Sequence, residues 1–387
     1  MIKTIKVMLC PNNKQKSKLF AMAGARRFAY NWAIDKEKQN YQDNKNFLFD
    51  RDVRKLFTQF KTLPENSWLN NISNDVTKQA IKDACQAYKN FFEHRTKFPK
   101  YKKRKDLHQS FYQDSVKIEF SNTHVKLEKI ANSKKQNKSK LNWIRLSEHD
   151  RIPTGTKYCN PRITFDGLNW YVSVGIEMPN CGALPKKEGI GIDLGVKDLA
   201  ICSNGIKYAN INKNQKIKRL EKHKRRLQRL LSKKYKKNKK GEKYCKTSNI
   251  IKSERALLKL NRRLTNIRKD YIHKTTTDII KREPSFICLE DLNVNGMLKN
   301  HKLARSVQMQ CFREFRRQIE YKTMWNNISL IIADRWFPSS KMCSQCGEIN
   351  KFLTLKDRTY VCKECGIVLD RDFNASINLK HYAESVL

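Results

Sequence analysis

Two Cys-x-x-Cys pairs, separated by 15 residues, constrain the fold of this chain more than any other stretch. They comprise Cys343, Cys346, Cys362 and Cys365. Four thiolates at this spacing are typical of structural Zn²⁺ sites, and Gly347 and Gly366 allow the tight turn that follows each pair. A redox Cys-x-x-Cys pair is the alternative, but redox chemistry does not require two copies. The pattern therefore predicts a coordinatively closed, structural Zn²⁺ site within residues 343–366.

The net charge of the chain indicates a polyanionic partner. Among 387 residues there are 81 Lys and Arg against 37 Asp and Glu, which gives a formal charge of +44. No fold needs such an excess, and it costs self-repulsion, so a bound polyanion is the natural explanation. The cations run along the whole chain and do not sit beside one apolar segment. Nucleic acid is therefore favoured over a membrane surface.

The remaining cysteines and the N-terminal residues bear on the cellular compartment. Eight of the twelve cysteines are scattered singly, which fits a reducing cytosol and not a disulfide framework. The first ten residues do not have the pattern of a signal peptide, and no apolar run reaches the length of a membrane span. We therefore expect a cytoplasmic, nucleoid-associated protein.

Apolar patterning changes along the chain and predicts a multidomain α+β and α/β protein. Residues 11–109 show helical spacing, whereas residues 1–10 and 110–180 alternate as strands do. Because the first strand can close the later sheet, we expect a β-barrel that is interrupted by a helical region. A further region begins near residue 186 with buried strands. It is interrupted by an antiparallel helical hairpin with a basic tip, and a single helix is expected over residues 303–325.

Two basic stretches are candidates for nucleic-acid contact. Between residues 214 and 249 there are sixteen Lys or Arg and two Glu, a one-sided charge that a solvated coiled-coil face does not need. In the other stretch, cations are interleaved with Phe98 and Tyr101, which suits phosphate contact and base stacking, with a solvated basic loop as the alternative. The candidate residues are Arg95, Lys97, Lys100, Tyr101, Lys102, Lys103, Arg104, Lys105, Lys224, Arg225 and Arg226.

Three carboxylates form a candidate catalytic site. Asp193 and Glu290 each end a predicted strand, and Asp372 opens a predicted helix. Converging carboxylates repel one another unless a cation neutralises them, and Mg²⁺ prefers oxygen ligands. A pair of Mg²⁺ ions can activate a water and stabilise the leaving oxygen of a phosphodiester. Taken singly, each residue has a plainer explanation: turn chemistry, a strand end at the surface, or a helix N-cap.

Several stretches in the last half of the chain, together and in this order, resemble the TnpB family of transposon-encoded RNA-guided nucleases, which is related to type V CRISPR effectors. They are Gly191-Ile192-Asp193-Leu194-Gly195, Leu289-Glu290-Asp291-Leu292-Asn293-Val294, Pro338-Ser339-Ser340-Lys341, the two cysteine pairs and Asp370-Arg371-Asp372-x-Asn374-Ala375. The first half of the chain resembles the family in architecture, with weaker echoes such as Phe98-Pro99-Lys100-Tyr101.

The resemblance implies a division into domains. Residues 1–10 and 110–180 would form a wedge-like β-barrel, and residues 11–109 an inserted helical recognition domain. Residues 186–342 and 367–387 would form a RuvC-like nuclease domain of RNase H fold. That domain would contain the helical hairpin as an insertion and would be interrupted by a zinc ribbon over residues 343–366.

The resemblance also implies roles for the site residues and the partners of the protein. Asp193, Glu290 and Asp372 would be the metal-binding triad, with Glu290 preferred over Asp291 and Asp372 preferred over Asp370. The protein would bind a guide RNA from its own transposon end and cut double-stranded DNA that pairs with the guide. Its cofactors would be structural Zn²⁺, two catalytic Mg²⁺ ions and the guide RNA. The oligomeric state stays open, with a monomer among the options.

Two other functions are compatible with these features. One is a RuvC-like nuclease or transposase accessory protein that acts without a guide. The other is a zinc-ribbon regulator that binds nucleic acid and whose nuclease site has decayed. The complete set of three carboxylates argues against the second. The identity of the bound RNA separates the guided nuclease from the first.

Overall fold

The structure is a computed structural model that describes residues 2–44, 46–131, 140–178, 187–354 and 357–387. The chain divides into two compact units, residues 1–179 and 180–387. Both units combine helices with strands, which confirms the predicted mixed α/β class. The predicted domain boundary at residues 180–186 lies outside the described residues. In the part of the chain that the structure describes, no helix combines the length and apolarity needed to cross a membrane.

The first unit joins helices to a seven-stranded sheet. Its helices are α1 (Asn13–Asn44), α2 (Asp50–Thr62) and α3 (Asn74–Phe92), with 3₁₀ turns at Pro64–Asn71 and Lys140–Asn142. Its strands are β1 (Ile2–Cys10), β2 (Gln109–Tyr112), β3 (Glu119–Phe120), β4 (His124–Lys126), β5 (Trp143–Leu146), β6 (Tyr158–Phe165) and β7 (Trp170–Glu177). The strand order is β2-β6-β7-β1-β5-β4-β3, so the first strand joins the later sheet, as the sequence predicts.

This sheet is not a closed barrel, and the prediction of one was wrong. Among the described residues, the end strands β2 and β3 do not pair with each other. Strands β3 and β4 have only two and three residues, so they offer few hydrogen bonds for closure. Helices cover the sheet instead, because Val7 and Val172 share one hydrophobic core with Leu19 of α1 and Val76 of α3. The helical region is therefore packed on the sheet and not separate from it.

The second unit is built around a five-stranded sheet. The strands of this sheet are β8 (Ile190–Asp193), β9 (Asp198–Cys202), β10 (Lys207–Ala209), β13 (Phe286–Glu290) and β14 (Ser329–Ala333). Two separate hairpins consist of β11 (Lys239–Lys240) with β12 (Lys243–Tyr244), and of β15 (Thr359–Val361) with β16 (Val368–Asp370). The helices of the second unit are α4 (Gln215–Lys237), α5 (Ser248–Lys281), α6 (Val294–Lys299), α7 (Ala304–Gln310), α8 (Phe312–Trp325) and α9 (Arg371–Val386), with a 3₁₀ turn at Ile211–Lys213. Helices α4 and α5 pack against each other, and the small β11–β12 hairpin joins them.

The order of the main sheet is β10-β9-β8-β13-β14; β8, β13 and β14 are parallel, and β9 runs antiparallel to both of its neighbours, β8 and β10. Its two faces pack against different helices. On β13, Ile287 and Leu289 belong to the core that includes residues of α5, α7 and α8. The alternate residue Cys288 shares a second core with Leu379 and Ala383 of α9. Because side chains alternate along a strand, this pattern fixes which residues of the sheet face α9.

The helix expected over residues 303–325 is divided into α7 and α8. Cys311 lies between them in the left-handed conformation, with φ of 56°. Val307 of α7 and Phe315 and Ile319 of α8 are nevertheless all buried, so an apolar face continues on both sides of the break. Apolar spacing reports which face of a helix is covered, and it carries no information about a break at one residue.

Helix α9 crosses β8 in direct backbone contact at Gly191. A Cβ on Gly191 would lie 2.1 Å from the carbonyl O of Ser376 and 2.4 Å from the backbone N of Lys380. We expect Gly191→Ala to destabilise the second unit by roughly 3 kcal/mol, because backbone atoms cannot rotate away as a side chain can. Thermal unfolding of the purified chain measures this effect.

A matched control is Gly24→Ala in α1, where the nearest atom to a new Cβ is Nη2 of Arg27 at 3.8 Å. That substitution should leave the unfolding temperature unchanged or raise it, because Ala has the higher helix propensity. Equal unfolding temperatures for Gly191→Ala and the wild type would contradict the close contact between α9 and β8.

Candidate metal centres and nucleic-acid interface

Two of the predicted site carboxylates end adjacent parallel strands. Leu289 of β13 lies opposite Ile192 of β8, so the next residues, Glu290 and Asp193, stand side by side at the same edge of the sheet. Asp193 is two residues after Gly191, and Glu290 is two residues after Cys288, so both lie on the face of the sheet that packs against α9. The convergence that the sequence predicts for these two residues follows from strand register alone.

The third predicted carboxylate lies in the first turn of α9. Asp370 caps this helix, because its Oδ1 accepts hydrogen bonds of 3.1 Å from the backbone N–H groups of Asp372 and Phe373. The capping role that was an alternative for Asp372 therefore belongs to Asp370. The Asp372 carboxylate instead accepts hydrogen bonds from Arg371, at 3.1 Å from Nε and 2.8 Å from Nη2. Arg358 is a more distant cation, at 3.9 Å.

The three carboxylates form one electrostatic cluster. The pKa of Asp193 is raised well above its ordinary value, first by burial and then by the negative charges of Glu290 and Asp372, while Arg371 opposes the shift. The carboxylate oxygens of these three residues do not all lie within 4.8 Å of one another. Among the described residues, only the four cysteines bring three or more potential metal ligands that close. A divalent cation would offset the repulsion among these negative charges. The three side chains offer only oxygen ligands, which a hard cation such as Mg²⁺ prefers.

Sequence reasoning assigned no role to the partners of Glu290 and Asp372. The hydroxyl of Ser339, which is 3% exposed, donates a hydrogen bond of 2.5 Å to Oε1 of Glu290. Arg371 binds Asp372 and also donates a hydrogen bond of 3.0 Å to the carbonyl of Asp357. Both residues lie inside stretches that resemble the family motifs, so their positions were visible in the sequence while their contacts were not.

Asp291, the neighbour of Glu290, has a different environment. Its carboxylate accepts hydrogen bonds from Arg316 at 2.8 Å and from Arg335. These two guanidinium groups hold the pKa of Asp291 below its ordinary value. The two adjacent acidic residues thus have separate surroundings, one with two arginines and one with Ser339 and the carboxylate cluster.

The four cysteines meet at one point. All four Sγ atoms lie within 4.8 Å of one another, with Cys343 and Cys365 at 3.6 Å and Cys346 and Cys362 at 3.5 Å. Four sulfurs bound tetrahedrally at about 2.3 Å would be about 3.8 Å apart, whereas a disulfide requires about 2.05 Å. The thiol set therefore fits a tetrahedral Zn²⁺ ion and not a pair of disulfides.

The two cysteine pairs are arranged as matching knuckles. Gly347 and Gly366, with φ of 80° and 71°, complete tight turns in which their N–H groups donate to the carbonyls of Cys343 and Cys362. Burial acts to raise the pKa of Cys343, but hydrogen bonds from the backbone N–H groups of Cys346 and Gln345 and from the neighbouring thiols lower it to about 7. A backbone hydrogen bond at Glu348 acts to lower the pKa of Cys346, but hydrogen bonds with the other cysteines raise it to about 12. The set therefore favours a thiolate at Cys343 first.

In the described part of the ribbon, few apolar side chains are buried apart from these cysteines. Its buried apolar cluster consists of Cys343, Tyr360 and Cys362, with Leu353 and Ile367 packed against it. So small a core cannot offset the conformational entropy of ordering the segment. Metal binding is the remaining source of folding free energy in such small modules.

The basic stretch over residues 95–105 is exposed and forms neither helix nor strand. It is fixed to α1 at two points. The hydroxyl of Tyr101 bonds to Asp35, and the backbone N–H of Lys102 donates to Oδ1 of Asn31 at 2.8 Å. Every predicted cation in the stretch keeps an exposed side chain, so the segment presents positive charge from an anchored backbone.

The second basic candidate surface lines a groove of about 600 Å³ among α4, α5, α7 and α8. Its cations are Lys224, Arg225, Arg268, Lys269 and Arg305. Buried Glu221 orders part of this surface, because it accepts a hydrogen bond of 2.8 Å from Arg268 and pairs with Arg305 at 3.5 Å. Arg226 is exposed on α4 and does not line the groove. The groove cations on α5 and α7 were missed from the sequence, because they are far apart along the chain.

Family models match the chain in three successive parts. A helix-turn-helix domain model (HTH_OrfB_IS605) matches residues 1–46, the "Probable transposase" model (OrfB_IS605) matches residues 176–301, and the Cas12f1-like TNB domain model matches residues 312–379. A model for capsule polysaccharide biosynthesis proteins matches residues 40–147 and stands apart from the other three.

Full-length relatives decide the family. A Streptomyces pristinaespiralis protein named "Putative RNA-guided DNA endonuclease" is 30% identical to this chain, over 97% of this chain and 88% of the relative. The chain belongs to the TnpB family. Escherichia coli K12 has a relative named "Putative RNA-guided DNA endonuclease InsQ", which is 28% identical over 100% of this chain and 93% of its own length.

A solved structure shares the fold of this TnpB-family chain. It is the cryo-EM structure of the Cas12f1-sgRNA-target DNA complex, with a TM-score of 0.63 and 14% identity over 98% of each chain. At this identity the likeness concerns the fold alone. The resemblance that the motifs indicated is thus confirmed at the level of the family and the fold, while the roles of individual residues rest on their chemistry.

Proposed function

We propose that this TnpB-family protein is the RNA-guided DNA endonuclease of a transposon. It binds a guide RNA derived from the transposon and cuts DNA that is complementary to the guide. The observation that carries this proposal is the electrostatic cluster of Asp193, Glu290 and Asp372 at one edge of the sheet. It occurs in a chain that is 30% identical to a relative named for this activity.

The domain assignment follows the same proposal. Residues 186–342 and 367–387 form a RuvC-like nuclease domain, interrupted by the zinc ribbon of residues 343–366. A five-stranded sheet in which β9 alone runs antiparallel to the other strands supports this assignment. Residues 1–10 and 110–180 serve as the wedge domain, and residues 11–109 as the recognition domain.

In the nuclease site, Asp193, Glu290 and Asp372 would hold two Mg²⁺ ions, which would supply the activation of a water and the stabilisation of the leaving oxygen of a phosphodiester. The hydrogen bond from Ser339 holds the Glu290 carboxylate in one orientation. Arg371 holds Asp372 and reduces the repulsion among the three negative charges. The zinc ribbon keeps all four of its ligand positions filled by protein, so it has a structural and not a catalytic role.

Guide RNA and its duplex with DNA are held through their phosphates. The anchored stretch of residues 95–105 and the basic groove around Lys224 and Arg225 provide cations for this purpose. Such contacts follow the shape of the backbone and leave sequence recognition to base pairing. A protein with these partners acts in the cytoplasm, where the DNA and the transcribed guide are both present.

Copurified RNA tests the guided function. When the protein is expressed together with its flanking transposon DNA, we expect one defined RNA species to copurify. Its affinity should fall by roughly 10³-fold or more between 50 and 200 mM salt if six or more phosphates are bound, because counterions are released. Sequencing of the RNA and filter binding provide the measurements. Heterogeneous cellular RNA would instead favour a nuclease that acts without a guide.

A further inference from the structure

The segment between β14 and the first zinc ligand touches both metal sites. Ser339 lies in the second half of this segment and donates the hydrogen bond of 2.5 Å to Glu290. Cys343 stands at its end, and Met342 directly precedes it. Only three residues therefore separate a hydrogen-bond partner of the carboxylate cluster from a thiolate of the zinc ribbon.

Two buried amides of α9 fasten this segment. Asn378 donates from Nδ2 to the carbonyls of Ser339, at 2.7 Å, and Met342, at 2.6 Å. Asn374 donates from Nδ2 to the same Met342 carbonyl at 2.7 Å, and its Oδ1 accepts from the backbone N–H of Ser344 at 3.0 Å. Both amides are at most 1% exposed. Helix α9, which carries Asp372, thus binds the N–H of Ser344 in the first knuckle and the carbonyl of Met342 just before that knuckle.

The amide of Asn378 has a role beyond filling space. Its two acceptors are carbonyls, so its NH₂ group has to face them. This orientation leaves Oδ1 buried and without a hydrogen-bond partner among the described residues. A buried unpaired oxygen costs free energy, and an apolar side chain would not incur that cost. This cost is present at Asn378, the residue whose hydrogen bonds join α9 to the segment that contains Ser339.

We propose that Ser339, Asn374 and Asn378 are positioning residues that couple the zinc ribbon to the carboxylate cluster. When the first cysteine pair is ordered, the backbone of Met342 and Ser344 has a fixed position. The side-chain amides of Asn374 and Asn378 bond to that backbone and so hold α9. Asp372 lies on the same helix, two residues before Asn374. The same segment sets Glu290 through Ser339. The ribbon thereby acts as the support that holds two of the three carboxylates in register. This inference rests on the proposed nuclease function.

The test compares Ser339→Ala with Ser340→Ala, two neighbouring serines of which only the first bonds to Glu290. The first readout is the rise in unfolding temperature of the full chain with added Mg²⁺, which does not depend on cleavage. Removing a residue that orients metal ligands typically weakens metal binding 10–100-fold. We expect Ser339→Ala to need about 10-fold more Mg²⁺ for half of the thermal shift, with zinc content and RNA binding unchanged. Ser340→Ala should match the wild type.

A second variant, Asn378→Asp, replaces the donor with an acceptor at constant size. If it folds with its zinc, it should show the same displaced Mg²⁺ dependence and slower cleavage, with partial recovery at high Mg²⁺. If it fails to fold, Ser339→Ala decides alone. An unchanged Mg²⁺ dependence in Ser339→Ala, or a wild-type chain that shows no Mg²⁺ response, overturns the coupling. A wild type that binds Mg²⁺ but does not cut guide-complementary DNA contradicts only the proposed function.

Discussion

Replacing Glu290 with Gln is expected to lower DNA cleavage by roughly 10³-fold or more, with RNA affinity within about twofold of the wild type. The substitution keeps the volume of the side chain and removes the negative charge that a divalent cation requires. Asp193→Asn should have the same effect, because Asp193 ends the adjacent strand of the same sheet edge. Neither residue belongs to the basic surfaces, so RNA binding should persist. Cleavage rates and filter binding on the same preparations provide the comparison.

The control is Asp291→Asn, which removes one charge at the residue next to Glu290. Asp291 is bound by Arg316 and Arg335 and is not part of the carboxylate cluster. Its substitution should change cleavage by no more than a few-fold. If Asp291→Asn were inactive while Glu290→Gln cut at the wild-type rate, the assignment of the site would be reversed.

Replacing Cys362 with Ser should release most of the zinc and lower the unfolding temperature by about 10 °C or more. Among the described residues of the ribbon the buried apolar cluster has three members, so the ribbon has little to stabilise it once the metal is lost. The effect should extend to α9, because Asn374 and Asn378 bond to the segment that leads into the first knuckle. Metal content by atomic emission and thermal unfolding measure the two effects.

Cys10→Ser is the matched control, since Cys10 is an exposed cysteine of the first unit. It should keep its zinc and its unfolding temperature. Equal zinc content and equal unfolding of Cys362→Ser and the wild type would rule out a structural zinc site at these four thiols.

The positions of the candidate metal ligands could be read from the sequence because their signals are local. The spacing of the cysteine pairs alone indicates four thiolates at one point, and the structure brings them together. Strand ends at Asp193 and Glu290 likewise follow from short apolar runs that stop at an acidic residue. The choice of Glu290 over Asp291 is an expectation of the family resemblance. In the structure the two residues have different hydrogen-bond partners.

Other features depend on contacts between distant residues, so the sequence did not reveal them. Alternation predicted strands in the first unit, but it could not show that α1 and α3 cover the sheet and leave it open. The break at Cys311 depends on one backbone angle. The hydrogen bonds of Ser339 and Asn378 join positions 49 and 39 residues apart, and no periodicity reports such pairs.

The central claim is that one chain combines RNA-directed targeting with a carboxylate nuclease site. The most direct measurement is cleavage, in Mg²⁺, of two DNA targets by protein loaded with two guide RNAs that differ only in their guide segment. A library of randomised flanking sequences supplies the motif beside the target. We predict that each guide directs cutting only to its own target and that Glu290→Gln abolishes both reactions. Cutting at the same positions with either guide, or undiminished cutting by Glu290→Gln, would contradict the account.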